Sequence, residues 1–309
     1  MPQVLAVANQ KGGTGKTTVA TSLAAAFANQ HGLTTLLIDM DGQCNATAAV
    51  LGSAARPRRT IKDVLWHAIP LAEVMVACPH HERLLVVAGS AELSYYEKVI
   101  SPEQWDDVVQ EARQILVAGL PDEVDVVVID TPPSLGLWLN AALAASDGAI
   151  VVCEPGKFSL DGITQLMQTF TNLKATANPA LDLTGFVVNK LRAGVGRHDD
   201  YLAAFRAQFG ALLLEPPIHV RIVIDDCQRA GTPLEFYQDR AAPELRASFG
   251  QIAAQVMARR GVAPVVATGT PAATSAGTAA LTPAGSAVAV APAVAAEGAL
   301  RETLAAAQA

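Results

Sequence analysis

The chain has 309 residues, 51% of them hydrophobic, and a formal net charge of −7. That is ample apolar material for one large core or two small ones, it includes no run of about 18 apolar residues that would read as a membrane span, and the acidic balance supplies no global attraction to nucleic acid. The four cysteines, Cys44, Cys78, Cys153 and Cys227, are far apart and lack metal-ligand spacing, as expected in a reducing compartment. The chain enters an apolar run at once, so no signal peptide is expected and the protein is expected to be cytoplasmic.

Val4–Ala8 is a short apolar run of strand type, and Val19–Ala28 is an Ala-rich stretch of helix type. Between them lies Asn9-Gln10-Lys11-Gly12-Gly13-Thr14-Gly15-Lys16-Thr17-Thr18. A glycine-rich turn from a buried strand into a helix is a phosphate cradle, because backbone N–H groups and the positive helix end converge on an anion. Lys16 is then placed to reach the β- and γ-phosphates and the Thr17 hydroxyl to ligate Mg²⁺. The pattern G-x-x-x-x-G-K-[ST] fails at its first position, where Gln10 stands, and a second lysine, Lys11, opens the loop.

Thr35–Asp39 is the next strand. It runs into Asp39-Met40-Asp41-Gly42, which puts two carboxylates where a buried strand emerges, a place for holding an attacking water beside a metal-nucleotide. Thr60 opens a helix after the basic run Arg56–Arg59. Leu84–Ala88 reads as a strand and Pro102–Ala118 as a helix. Val124–Asp130 is a β-branched central strand ending in Asp130, of the form that holds Mg²⁺, followed by the stiff turn Thr131-Pro132-Pro133. The remaining pattern alternates helix Leu137–Ala145, strand Ala149–Cys153, helix Ser159–Ala177, strand Thr184–Asn189, and helices Asp199–Phe209 and Pro243–Arg260. Near-continuous apolar strands alternating with helices predict an α/β fold, a mostly parallel twisted β-sheet with helices on both faces. Ligands bind such sheets at the C-terminal strand ends. Composition shifts near Gly261. Residues 263–309 are mostly Ala, Pro, Thr, Gly and Val, with only Glu297, Arg301 and Glu302 charged. A folded unit over residues 1–262 and a flexible tail over 263–309, with a short helix at Ala299–Ala307, are therefore expected.

The lysine-opened loop resembles the deviant Walker A motif of the ParA/MinD group of P-loop ATPases, and the order of the other blocks resembles its ParA/Soj branch. Asp39–Thr47 is similar to the family block D-x-D-P-Q-x-N-A-T, with Gly42 in place of Pro. Pro216–Arg221 and Gly231–Leu234 resemble parts of the family segment IPRNVRLSEAPSHGKPI. The resemblance implies ATP and Mg²⁺ as cofactors and a weak, Mg-dependent ATPase. Lys11, Lys16 and Asp41 would serve catalysis, Lys11 by crossing a homodimer interface to the partner's ATP. Nucleotide would be held by Gly12, Gly13, Thr14, Gly15, Lys16, Thr17, Thr18, Asn189 and Pro217, with Asn189 at the adenine edge. Thr17 and Asp130 would hold the metal, Asp130 through water, and the Thr131-Pro132-Pro133 turn would sense the γ-phosphate.

By the same resemblance, the ATP dimer would bind DNA without sequence preference and segregate plasmid or chromosomal DNA, released when a ParB-type partner stimulates hydrolysis. It would then be nucleoid-associated. Residues 192–260 hold nine arginines against eight acidic residues, so a basic face has to be made by folding, and Arg192, Arg221 and Arg246 are the candidate DNA contacts. An alternative keeps the ATPase switch and positions a protein cargo or division regulator on the nucleoid. The small, weakly charged C-terminal end does not match the basic amphipathic membrane helix of the MinD branch. A metabolic ligase of the same group would use the cradle without needing Lys11, and an iron–sulfur role is disfavoured by Cys153 inside an apolar strand.

Overall fold

The computed structural model describes residues 1–156 and 158–264, with backbone only at 158–162. The tail and its short helix, expected over 263–309, lie outside the described residues from residue 265 on. In chain order the elements are β1 (Gln3–Ala8), α1 (Lys16–Gln30), β2 (Thr35–Asp39), α2 (Asn45–Leu51), α3 (Ile61–His67), β3 (Val76–Cys78), β4 (His81–Val87), α4 (Glu92–Val99), α5 (Trp105–Ala118), β5 (Val126–Asp130), α6 (Leu137–Ala144), β6 (Gly148–Cys153), α7 (Phe158–Thr176), β7 (Asp182–Val188), α8 (Gly196–Phe209), β8 (Leu213–Leu214), α9 (Ile222–Ala230) and α10 (Ala242–Arg260).

The strands form one eight-stranded sheet in the order β3-β4-β2-β5-β1-β6-β7-β8. Every pairing is parallel except β3 with β4. The expected α/β fold is therefore what forms. Edge strands β3 and β8 escape sequence reading because three and two residues carry no periodicity.

Alternation along each strand sorts side chains to the two faces. Val4, Ala6, Val127 and Ile129 join one core with Trp138 and Ala141 of α6, while Leu5, Val7, Val126 and Val128 join the other with Phe27 of α1 and Phe249 of α10. The alanines of α1 have a packing reason. Ala24, Ala25, Ala26 and Ala28 are all buried, so small side chains let this helix lie between the sheet and α10 without strain. Thr60 caps α3 through a reciprocal box, its N–H donating to Asp63 Oδ2 at 2.8 Å, so the basic run before it ends in a capped helix as expected. Two of its basic side chains are spent on neighbours, Arg56 on the Ser53 and Ala55 carbonyls and Arg59 on Glu73.

The helix α10 closes the second core and ends at Gly261, whose φ of 67° suits a left-handed C-terminal cap. A chain ending at Pro264 is expected to melt within about 2 °C of the full chain when followed by circular dichroism. A loss beyond about 5 °C would mean that later residues pack on the core.

Candidate functional site: a phosphate cradle with two lysines

The cradle spans the gap between β1 and α1. Gly13 and Gly15 have φ of 78° and 88°, a left-handed conformation that side-chain-bearing residues avoid. At Gly15 there is also no room, since a Cβ would lie 2.2 Å from Asn189 Nδ2. Two asparagines hold the loop from the ends of β1 and β7, the strands that flank β6. Asn9 accepts from the Lys11 N–H at 2.9 Å and donates to the Val152 carbonyl of β6. Asn189, just after β7, donates to the Thr14 carbonyl at 2.8 Å. One N–H of the amide expected at the adenine edge therefore braces the loop. Thr14 is buried, with its hydroxyl donating back to the Lys11 carbonyl at 3.4 Å. Gly12, Gly13, Gly15, Lys16, Thr17 and Thr18 line a cavity of about 680 Å³ together with Asp41 and Asn189.

The two loop lysines point in different directions. Lys16 is 6% exposed, and its ammonium lies 3.5 Å from the Lys11 carbonyl. Burial lowers its pKa, and the negative charges of Asp130 and Asp41 oppose that shift. Lys11 has a side chain 56% exposed and pairs at 3.2 Å with Glu154 Oε2. Lys190 takes the other oxygen of Glu154 at 3.1 Å and also donates to the Gly13 carbonyl. Lys190 carries no local sequence signal, and strand β7 alone brings it to the loop.

The carboxylates divide by environment. Parallel register places Asp39 beside Asp130 at the ends of β2 and β5. Asp39 is boxed in. Its Oδ2 accepts from the Thr47 N–H and hydroxyl at 2.8 and 2.7 Å, its Oδ1 accepts from the Asp41 N–H at 3.1 Å, and Gly89 rests against it. Burial nevertheless pushes its pKa up to about 6, against those hydrogen bonds. Asp39 is thus a structural anchor for the turn that aims Asp41, and Asp41 faces the cavity. Asp130 accepts from the Thr17 hydroxyl at 2.8 Å through Oδ2. Its Oδ1 is buried with no hydrogen-bond partner among the described residues, and its pKa is raised well above the ordinary value by burial and by the neighbouring Asp39 charge. An orphaned buried carboxylate oxygen beside a hydroxyl is a hard-oxygen donor set that fits Mg²⁺. Asp125, at the opposite end of the sheet, accepts from the Thr34 N–H instead.

The far wall of the cavity comes from His219, Val220, Arg221, Ile224, Asp225 and Gln228. Pro217 is not among the lining residues; its neighbour Ile218 turns into the core, so the wall begins two residues later than expected. A backbone bridge joins Leu191 to His219, and Arg192 and Arg221, which follow those residues, both line the cavity. Gln228 donates to the Thr18 hydroxyl at 2.8 Å across 210 positions of sequence, a contact that only folding reveals. Arg246 corrects the expectation of a DNA contact. Its guanidinium donates to the Leu234 carbonyl at 3.1 Å and to the Tyr237 carbonyl, clamping α10 to the preceding loop.

A family model described as an AAA domain matches residues 2–183. The chain is 30% identical over 258 residues to the chromosome partitioning protein ParA of Caulobacter vibrioides, covering 83% of this chain and 94% of that protein. It belongs to the ParA/MinD-type P-loop family. The ParA of Myxococcus xanthus is also 30% identical, over 237 residues, covering 76% of this chain and 81% of that protein. Among solved structures, cobyrinic acid a,c-diamide synthase from Mycobacterium smegmatis with bound ADP and magnesium superposes with a TM-score of 0.63 at 26% identity, covering 76% of this chain and 93% of that one. The ATP complex of a Cyanothece McdA variant superposes with a TM-score of 0.69 at 18% identity, covering 86% and 98%, which shows the shared fold.

Gly42, where the resembling block has Pro, is explained by a close approach. A Cβ there would lie 2.9 Å from the Ser94 backbone nitrogen and 2.0 Å from its hydroxyl. The helix α4 sits directly on this turn. Gly42→Ala is expected to cost about 1–3 kcal/mol through overpacking, read from the denaturation midpoint in urea. An unchanged midpoint would show that α4 moves aside freely.

Proposed function

We propose that this protein is an ATP-dependent dimerising ATPase that uses DNA as a non-specific track and segregates plasmid or chromosomal DNA. The observation that carries this reading is the split between the lysines: Lys16 is buried inside its own cradle, while Lys11 of the same loop lies outside it on Glu154. A lysine that does not serve its own phosphate site is suited to serve a second copy's. The relatives that share the family are named for chromosome partitioning, which supports the choice of DNA over a metabolic substrate.

In this reading the glycine loop and the start of α1 bind the phosphates through backbone N–H groups, with Lys16 as the charge partner. Thr17 and Asp130 would hold Mg²⁺, Asp130 through water. Bound Mg²⁺ supplies charge neutralisation on the phosphates. Asp41 faces the cavity with its Oδ1 fixed by the Gln43 N–H at 2.9 Å, and it orients the attacking water. Positioning and electrostatics of this kind carry most of phosphoryl-transfer catalysis. A ParB-type partner would stimulate hydrolysis and release the DNA.

Lys16→Ala is expected to abolish nucleotide binding, measured by equilibrium titration with a fluorescent ATP analogue. Asp41→Ala is expected to bind ATP and accumulate as dimer, and Lys11→Ala to bind ATP and stay monomeric, both measured by light scattering after gel filtration. Dimerisation of Lys11→Ala equal to that of the parent chain would exclude the lysine exchange and favour a ligase-like use of the cradle.

For DNA, fluorescence anisotropy of a random-sequence duplex is expected to rise with protein in ATP and not in ADP, and to weaken steeply with salt. Removing both Arg192 and Arg221 is expected to reduce the log–log salt slope by about 2, with ATP affinity measured in parallel because both line the cavity. ATP-dependent dimers that ignore DNA would discard the track and keep the switch.

A further inference from the structure

The short helix α4 touches both turns that matter for hydrolysis. Ahead of it, the Gly89 N–H donates to the Thr47 hydroxyl at 2.8 Å, the same hydroxyl that donates to Asp39. In its first turn, Ser94 packs against Gly42, the residue after Asp41, closely enough to leave no space for a Cβ there. One turn later, on the same face, Glu97 Oε1 accepts from the Ser134 hydroxyl at 3.1 Å. The Glu97 carboxylate also lies flat on Gly136, where a Cβ would meet Oε1 at 1.5 Å. Ser134–Gly136 continues the turn that follows Asp130, and Pro133 of that turn faces the cradle, where a Cβ built on Gly12 would meet its Cβ at 3.6 Å. Trp138 Nε1 donates to the Leu93 carbonyl at 2.7 Å and pins the whole helix against α6.

We propose that Glu97 is a positioning residue for nucleotide hydrolysis: through Ser134 it locks the turn after Asp130 to α4, the helix that packs on the Asp41 turn, so that the two turns respond together when phosphate fills the cradle. The inference rests on the ATPase reading. Glu97 is not among the residues that line the cavity, so its loss is expected to act on turnover and leave nucleotide affinity in place. Glu97 is half-buried, and burial pushes its carboxyl pKa up against the hydrogen bonds from Ser134 and the Leu137 backbone, with a smaller contribution from the Asp41 charge.

The test uses the full chain and the variants Glu97→Ala, Glu97→Gln and Ser134→Ala. Glu97→Ala is expected to lower kcat about 10- to 100-fold, with affinity for a fluorescent ATP analogue within about 3-fold of the parent. Glu97→Gln retains an Oε1 acceptor for Ser134 and is expected to restore kcat to within about 3-fold. Ser134→Ala is expected to lower kcat as Glu97→Ala does, and the double variant to lose little more, as for two partners in one contact. It also serves as the test should Glu97→Ala fold poorly.

Hydrogen exchange without nucleotide gives a readout independent of turnover. In Glu97→Ala, amides of 134–137 and of 42–44 are both expected to exchange faster. Faster exchange confined to 134–137 would overturn the coupling, as would an unchanged kcat or a Glu97→Gln variant as slow as Glu97→Ala. Absence of ATP turnover by the parent chain would instead refute the ATPase reading, so the two failures are distinguishable.

Discussion

Two carboxylates buried side by side constrain everything around them. Asp39 and Asp130 end neighbouring parallel strands in matched register, so their charges repel in a site from which water is largely excluded. Burial raises the pKa of both, and the fold answers them unequally. Asp39 receives three donors, from Thr47 twice and from the Asp41 backbone, and becomes a fixed part of the frame. Asp130 receives Thr17 on one oxygen and keeps the other without a hydrogen-bond partner among the described residues. A buried group left in that state costs free energy until a ligand satisfies it. Lys16 is drawn into the same place, its burial penalty offset by the anions. The site is therefore poised for a cation and a phosphate together, since each relieves charge left by the fold.

A loop made largely of glycine cannot hold its own shape, because glycine loses the most conformational freedom on ordering. Here rigidity comes from outside the loop. Asn9 and Asn189 reach it from the ends of β1 and β7, the strands on either side of β6, and Lys190 closes on Gly13. Gly15 is needed for two separate reasons, its left-handed φ and the Asn189 amide pressed against it. The same logic applies to the far wall, where Gln228 of α9 meets Thr18 at the start of α1. Phosphate binding in such a site is preorganised, since the ordering is already done when the ligand arrives.

The surface arginines illustrate why charge counts say little about contacts. Arg206 pairs with Glu215, Arg246 and Arg259 donate to backbone carbonyls, and Arg260 ties Gln3 and Asp182. Exposed pairs of this sort are worth little in stability, but each takes a cation out of a simple tally of basic residues. Arg192 and Arg221 instead line the nucleotide cavity, Arg221 with only an exposed 3.4 Å contact to Glu244, so any anion they meet lies next to the phosphate site.

Much of the fold and the chemical centre was legible in the order of residues. Apolar runs of strand length mark β1, β2, β5, β6 and β7, because a parallel strand covered on both faces must be apolar throughout. The glycine-lysine loop, Asp41 and Asp130 follow those strands directly, so local sequence placed them at one edge of the sheet. Tertiary structure decided that Asp39 is boxed in while Asp41 faces the cavity, that Asn189 braces the loop, that Arg246 clamps backbone carbonyls, and that Gly42 makes room for α4. Asn189 meets Thr14 across 175 positions, a pairing set by sheet register and helix packing that no spacing within one segment encodes. The Asp39 and Arg246 contacts are close in sequence, but only the folded turn and helix aim those side chains at their partners.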